Sequence, residues 1–260
     1  MSTAIHPSAI VDPAAELGPG VQVGPGAVIG AQVEIGAGTR IGAYAVLDGR
    51  LSLGADNQVS PHAVLGAPPQ DVKYAGEPTR VEIGDRNRIR EFVTVHRGTP
   101  QGRGVTRIGS DTFLMAYSHV AHDAIVEDHA ILANAVQLAG HVQVMAWAIV
   151  GGCSAVHQFA RIGPIAFVGG GSMVELDVPP FCMATGNRAR LHGLNTIGLK
   201  RRGFGKRELA AAWKAYRLAF KSGLLLDEAI ARIEAELLGD CEALGELTGF
   251  LRSSERGVTR

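Results

Sequence analysis

Two histidines three residues apart, the second followed by an acid, stand out in SHVAHDAIV, Ser118 to Val126. A neutral imidazole takes a proton from a hydroxyl near pH 7 when a partner holds its tautomer, and Asp123 beside His122 is suited to that task. Eighteen residues beyond His122 lies Gly140, and eighteen further lies Gln158. In a chain that coils with that period these three share a column, Asp123 and His141 share the next, and His119 and His157 flank them. Gly140 has no side chain to shield its N–H, so it can stabilise an oxyanion. There is no GxSxG motif, and Cys153 has no activating partner in sequence. The chemistry indicated is acyl transfer by direct attack of a bound hydroxyl, His122 acting as general base, without a covalent acyl-enzyme.

Two further groups suit a phosphorylated substrate. Asp71, Lys73 and Tyr74 combine an ammonium for phosphate charge with a carboxylate for sugar hydroxyls. Lys200, Arg201, Arg202, Lys206 and Arg207, preceded by Arg188 and Arg190, concentrate positive charge that suits phosphates or an acidic carrier.

These residues need an element that stacks positions 18 apart, and the chain supplies one. From Ile5 to Leu65 an aliphatic residue returns at every sixth position, often followed by glycine, and the same period runs from Ile108 to Val174. Period six fits neither an α-helix nor an alternating strand. It predicts a parallel β-helix with three short sides per coil, glycine helping the chain turn its corners. The register breaks near 67–80 and near 98–107, so two loops should be extruded from the prism, where rigid coils hold functional insertions. The repeats stop at Val178-Pro179-Pro180, since proline cannot donate into a ladder. Beyond them, Leu209, Trp213, Tyr216 and Phe220 lie on one predicted helical face, and Leu226, Ile230, Ile233 and Leu237 on another. A third short helix is expected over Glu242–Leu251. The expected division is a β-helix over 1–180 and a helical domain over 181–260 that covers the end of the prism.

Composition narrows the alternatives. The 25 basic and 25 acidic residues cancel, so net charge gives no argument for nucleic acid or membrane as a partner. Thirty-four glycines with only 5% aromatics favour a repeat protein over an ordinary α/β core. Cys153, Cys182 and Cys241 are odd in number and in no CxxC spacing, which suggests free thiols, no disulfide framework and no zinc site. The N-terminus lacks a basic and apolar leader pattern, and no window reaches eighteen apolar residues, so a cytoplasmic chain with no stable membrane insertion is expected.

The motifs QDVKYAGEPTRVEIGDRNRIRE, TVHRGT, HVAHD, ILANAVQLAGHV, GGCSAVHQF, DVPPF and GLKRRGF together resemble the UDP-N-acetylglucosamine O-acyltransferases, from the first hexads through the C-terminal helices. The resemblance implies an all-β left-handed parallel β-helix of hexapeptide repeats with a small C-terminal α-helical domain, assembled as a homotrimer with active sites between subunits. It implies transfer of an (R)-3-hydroxyacyl chain from acyl carrier protein to the glucosamine 3-hydroxyl of UDP-N-acetylglucosamine, the first step of lipid A biosynthesis. No cofactor or metal is implied, because the acyl group arrives on the carrier's phosphopantetheine. By matching motifs, His122 is similar to the general base, Asp123 to its partner and Gly140 to the oxyanion amide. Asp71, Lys73, His96, His119, His141, His157 and Gln158 match positions lining the sugar and acyl-donor site. Asn195, Arg201 and Arg202 match positions near the nucleotide or the phosphopantetheine. Gly170 resembles the position where a small residue leaves the acyl groove open to longer chains, while Arg188 stands where some long-chain members have histidine. Two rivals predict differently. A metal-dependent hydratase on the same prism would hold zinc, though its spacing of ligands five residues apart is missing around His119, His122 and His141. A scaffolding β-helix would bind no UDP-sugar.

Overall fold

The computed structural model describes residues 3–260; the first two residues of the expected β-helical part lie outside them. The chain winds through three sheets of eleven, nine and eight strands, parallel except for the last strand of the first, taken in rotation so that each strand of the prism pairs with the one a coil away. Ala4 pairs with Gln22, His119 with Gln137 and Gln137 with Ala155, which sets the coil at 18 residues where nothing is inserted. The architecture is the expected left-handed parallel β-helix with a C-terminal helical part. Its core is the run of inward aliphatics, and Leu47, Leu65, Val95, Val120 and Leu138 are fully buried on one side. Burial of each such side chain stabilises the coil by roughly 1.5–3 kcal/mol. The first coil has none beneath it, and Ile5 is left 47% exposed.

The corners turn differently from the sequence expectation. Apart from Gly66, the glycines that follow the inward aliphatics, such as Gly42, do not have positive φ; an added Cβ at Gly42 would lie 2.7 Å from the Pro61 nitrogen in the next coil. They permit close approach of coils, and the turning is done elsewhere. From Tyr117 to Cys153 every sixth residue is non-glycine with φ between 58° and 64°: Tyr117, Asp123, His129, Ala135, His141, Trp147 and Cys153. Left-handed non-glycine residues persist only where the surroundings over-determine them. Here the stacked coil does so, because each amide except that of Asp123 donates to a carbonyl of the coil below: His141 to His122 at 3.0 Å, Trp147 to Asp128 at 3.1 Å, Cys153 to Asn134 at 2.8 Å.

Three corners result. The first joins the eleven- and nine-stranded sheets and carries Tyr44, His62, Phe92 and Tyr117. The second joins the nine- and eight-stranded sheets and carries Asp123, His141 and Phe159. The third returns to the eleven-stranded sheet and carries Asp111, His129 and Trp147. Both irregular loops leave from the second corner, one between Ala67 and Arg80, the other between His96 and Val105. The strand Val105–Ile108 starts within the expected second break, because Val105 and Thr106 pair with Arg80 and Val81.

After Pro180, Cys182–Thr185 still pairs in parallel with Phe167–Val168, then Arg190–Leu194 turns back antiparallel. Four helices follow: α1 (Thr196–Arg201), α2 (Lys206–Lys221), α3 (Leu226–Leu237) and α4 (Leu244–Arg252). Helix α1 was not expected; it forms because Asn195 caps it, its side chain accepting from the Gly198 amide. Helix α2 buries Ala211, Ala212, Ala215 and Ala219 with Tyr216, while Leu209, Trp213 and Phe220 are only partly buried, so its inner stripe is narrower than its large side chains suggested. Arg161 ties this part to the prism through Asp177, Ser253 and the Phe250 carbonyl.

Candidate functional site

The second corner holds the chemistry. His119 begins a strand of the nine-stranded sheet and His122 opens the turn after it, so the two leave the prism in different directions. His122 Nδ1 lies 2.9 Å from Asp123 Oδ2, and the Asp123 side chain is 0% exposed. Burial by itself raises the Asp123 pKa, but hydrogen bonds from Thr99 and His122 outweigh it and hold the carboxyl below its ordinary range. An ionised Asp123 makes Nδ1 the protonated nitrogen and leaves the Nε2 lone pair free. Gly140 faces that ring: an added Cβ would lie 2.6 Å from His122 Nε2, so any side chain would displace the imidazole. The Gly140 amide donates to no protein acceptor among the described residues.

The other histidines complete a nest. His141 lies one coil above Asp123, edge-on to His122 at 5.1 Å between ring centroids, and stacks on Phe159 at 4.4 Å. Its pKa is lowered by burial, and by the charges of His122 and Arg103, against the opposing pull of Asp123 and Asp71. His119 accepts or donates at Thr94 Oγ1 across 2.7 Å and meets buried His96 edge-on at 4.8 Å. Burial lowers the His119 pKa and pushes His96 down to about 4, neighbouring imidazoles adding to both. His157 and Gln158 stand exposed one coil above Gly140. Lys73 is exposed on the first loop, and its amide donates to Asp71 Oδ1 at 2.9 Å.

His122, Asp123 and His141 could also offer three ligand atoms to a metal, all within 4.8 Å of one another. The donor set fits an ion poorly. Asp123 Oδ2 already accepts from His122 Nδ1, the Thr99 amide at 3.0 Å and the Thr99 hydroxyl at 2.7 Å, and these would have to be displaced.

A family model described as UDP-N-acetylglucosamine O-acyltransferase, domain 2, matches residues 177–259, and one for bacterial transferase hexapeptide repeats matches 14–49. The acyl-(acyl-carrier-protein) UDP-N-acetylglucosamine O-acyltransferase of Alkalilimnicola ehrlichii is 53% identical over 259 residues, 99% of this chain and 100% of that protein. Its namesake in Burkholderia mallei is 49% identical over 199 residues, 75% and 76% of the two chains. The solved LpxA of Acinetobacter baumannii superposes with a TM-score of 0.96 at 44% identity, covering 98% of this chain and 99% of that one. The UDP-N-acetylglucosamine acyltransferase of Bacteroides fragilis gives 0.94 at 38%, covering 98% and 100%. This chain belongs to the UDP-N-acetylglucosamine O-acyltransferase family.

In this acyltransferase the structure brings Asp71, His96, His119, His122, Asp123, Gly140 and His141 to one corner, with His157 and Gln158 just above. Lys73 stands beside Asp71 on the first loop, and Gly170, Asn195, Arg201 and Arg202 are not brought there. Gly170 is exposed at the first corner, above Gly152. Asn195, Arg201 and Arg202 line a recess at the third corner with Arg86, Arg88 and Trp147. Within the chain these form separate places.

Sequence reasoning missed the residues that hold Asp123. The corner below it is opened by the second loop, so its amide meets no carbonyl of the coil below and donates instead to Thr106 Oγ1 at 2.8 Å. The loop then folds back: Thr99 binds Oδ2, the Arg103 amide donates to Oδ1 at 2.7 Å, and Arg103 Nη1 donates to the Asp123 carbonyl at 2.6 Å. The threonine- and arginine-rich composition of that break was the available signal.

Proposed function

We propose that this acyltransferase moves an (R)-3-hydroxyacyl chain from the thioester of acyl carrier protein to the glucosamine 3-hydroxyl of UDP-N-acetylglucosamine. His122 Nε2 takes the proton as the hydroxyl oxygen forms its bond to the thioester carbonyl carbon. The carbonyl oxygen becomes an oxyanion opposite the Gly140 amide. Collapse breaks the carbon–sulfur bond, and His122 returns its proton to the departing phosphopantetheine thiolate. Asp123 stabilises the imidazolium between these steps and keeps its tautomer. The observation that carries this reading is the 2.9 Å contact from His122 Nδ1 to a wholly buried carboxylate that the second loop clamps on both oxygens.

Asp71, Lys73, His96, His119, His141, His157 and Gln158 line the sugar and acyl-donor site in this proposal. Asn195, Arg201 and Arg202 serve the nucleotide or the phosphopantetheine, and Gly170 opens the acyl groove. Their separation on one subunit is reconciled by a homotrimer in which the third corner of one copy faces the second corner of the next. The division into a prism over 1–180 and helices over 181–260 then places the catalytic corner in the first part and α1 in the second. No cofactor takes part, and the enzyme works in the cytoplasm; no helix among the described residues is long and apolar enough to cross a membrane.

His122→Ala should slow single-turnover transfer at least about a hundredfold, the scale of a positioned base. An unaffected rate would sink the assignment. Offering a ladder of 3-hydroxyacyl carrier proteins in the same assay tests reaction class and chain length together.

A further inference from the structure

Trp147 occupies the left-handed position of the third corner, φ 63°, and both faces of its indole are covered. One coil below, His129 stacks on one face with ring centroids 3.7 Å apart and planes 11° apart. On the other face the Arg202 guanidinium carbon lies 3.5 Å from the ring centroid, the separation of a face-on stack. Arg202 is the C-cap of α1, where its amide donates to the Gly198 and Leu199 carbonyls. Its side chain makes no hydrogen bond or ion pair among the described residues, so the indole is what holds it.

The recess beside this stack has surplus positive charge. Arg86, Arg88, Arg201 and Arg202 line it. Asp111, the acid among the lining residues, is already held by Arg86 at 2.9 and 2.8 Å. The complementary ligand is a phosphate group. Both substrates of the proposed reaction carry one, as the diphosphate of the nucleotide sugar or the phosphodiester of the carrier's phosphopantetheine.

We infer that Trp147 is a positioning residue for Arg202, fixing its guanidinium over the recess so that the in-plane N–H donors are already aimed when the phosphate arrives. The stack occupies only the face of the guanidinium and leaves its rim of donors free. A free arginine loses rotamer entropy on ordering, and the indole removes part of that cost from the binding step. His129 backs the ring and keeps it from swinging away. With both faces occupied, the indole does not itself stack on a nucleobase. This inference rests on the proposed role of Arg202 at a substrate phosphate.

The test is steady-state kinetics of the full chain, with KM measured separately for UDP-N-acetylglucosamine and for the acyl carrier protein. Arg202→Ala should raise one of the two, and which one identifies the source of the phosphate. Trp147→Leu and Trp147→Ala should raise that same KM about threefold to thirtyfold, the range of a cation–π contact, with a smaller change in kcat. Trp147→Phe should restore most of it, and Trp147→Ala combined with Arg202→Ala should be no worse than Arg202→Ala alone. Should Trp147→Leu lower the melting temperature, Arg202→Lys tests the stack from its other side: it keeps the charge, loses the planar face, and should raise the same KM. Wild-type KM in Trp147→Leu or Arg202→Lys, or additive effects in the double variant, overturns the inference while leaving the role of Arg202 intact. Wild-type KM values for both substrates in Arg202→Ala overturn that role and the inference with it.

Discussion

The first and second corners of the prism use the same backbone device to opposite ends. At the first, the left-handed positions carry Tyr44, His62, Phe92 and Tyr117, whose rings stack at 5.5, 5.0 and 4.8 Å and within 8° of parallel. Those separations match the strand spacing of about 4.8 Å, so the rings pack on one another and the inner two, His62 and Phe92, are covered on both faces. At the second corner the ladder is interrupted. A carboxylate replaces the ring at Asp123, Gly140 leaves room for His122, and two loops open the coils below. A complete stack has nothing left to offer a substrate, whereas a broken one leaves directed lone pairs and donors. The second loop matters for the same reason: where it removes the carbonyl that would fix the Asp123 amide, it supplies Thr99 and Arg103, and the strand that follows it supplies Thr106.

The sharpest way to test that contrast is to change one left-handed residue at each corner. Asp123→Asn keeps the shape but removes the charge that selects the His122 tautomer, and single-turnover transfer should fall by about 10²–10⁴. The matching change at the first corner, Tyr117→Asn, should leave the rate within about threefold; equal losses at both corners would break the comparison. Gly140→Ala comes next. Its backbone is not left-handed, so alanine is permitted there, but the methyl would push His122 aside. The expected loss is on the order of a hundredfold in kcat with the melting temperature little changed, read by kinetics and calorimetry on the same preparation.

Acid should separate the corners further. His96 folds with its pKa pushed down to about 4, and His119 and His141 are also lowered. An imidazole that must stay neutral in the fold contributes its full stability above the unfolded value of about 6.5 and loses it as pH falls toward the folded value. Asp123 acts lower still: its folded pKa is depressed, so its contribution is intact above about pH 4 and lost below. The melting temperature should therefore decline between about pH 6.5 and pH 4, and His96→Gln should flatten that slope. An unchanged slope would mean that this nest is not what titrates.

The prism was legible because its period is strict. An aliphatic at every sixth position fixes an 18-residue coil, and that coil alone aligns His122 with Gly140 and Asp123 with His141. What was not legible lies off the lattice. Thr99 and Arg103 are 24 and 20 residues from Asp123, separations with no meaning in the repeat, and they reach it because an extruded loop folds back. The left-handed corners were equally silent, since the composition signal was glycine while the positions themselves hold Asp123, His141 and Trp147. Helix α1 was hidden by its charge, and its cap at Asn195 reads as an ordinary polar residue.

The smallest expected effect is at the first corner and concerns stability alone. Phe92 is 42% exposed yet touches a ring on each side, His62 below and Tyr117 above. Phe92→Ala removes two stacked pairs and leaves the left-handed backbone unchanged in kind, so it should cost about 1–3 kcal/mol, at 0.5–1.5 per pair. Turnover should stay within about twofold, because no group at the second corner loses a partner. Chemical denaturation at constant m-value reads the first quantity and steady-state kinetics the second. A rate loss larger than the stability loss would show that the ladder reaches into the catalytic corner, and that the two corners are one working unit.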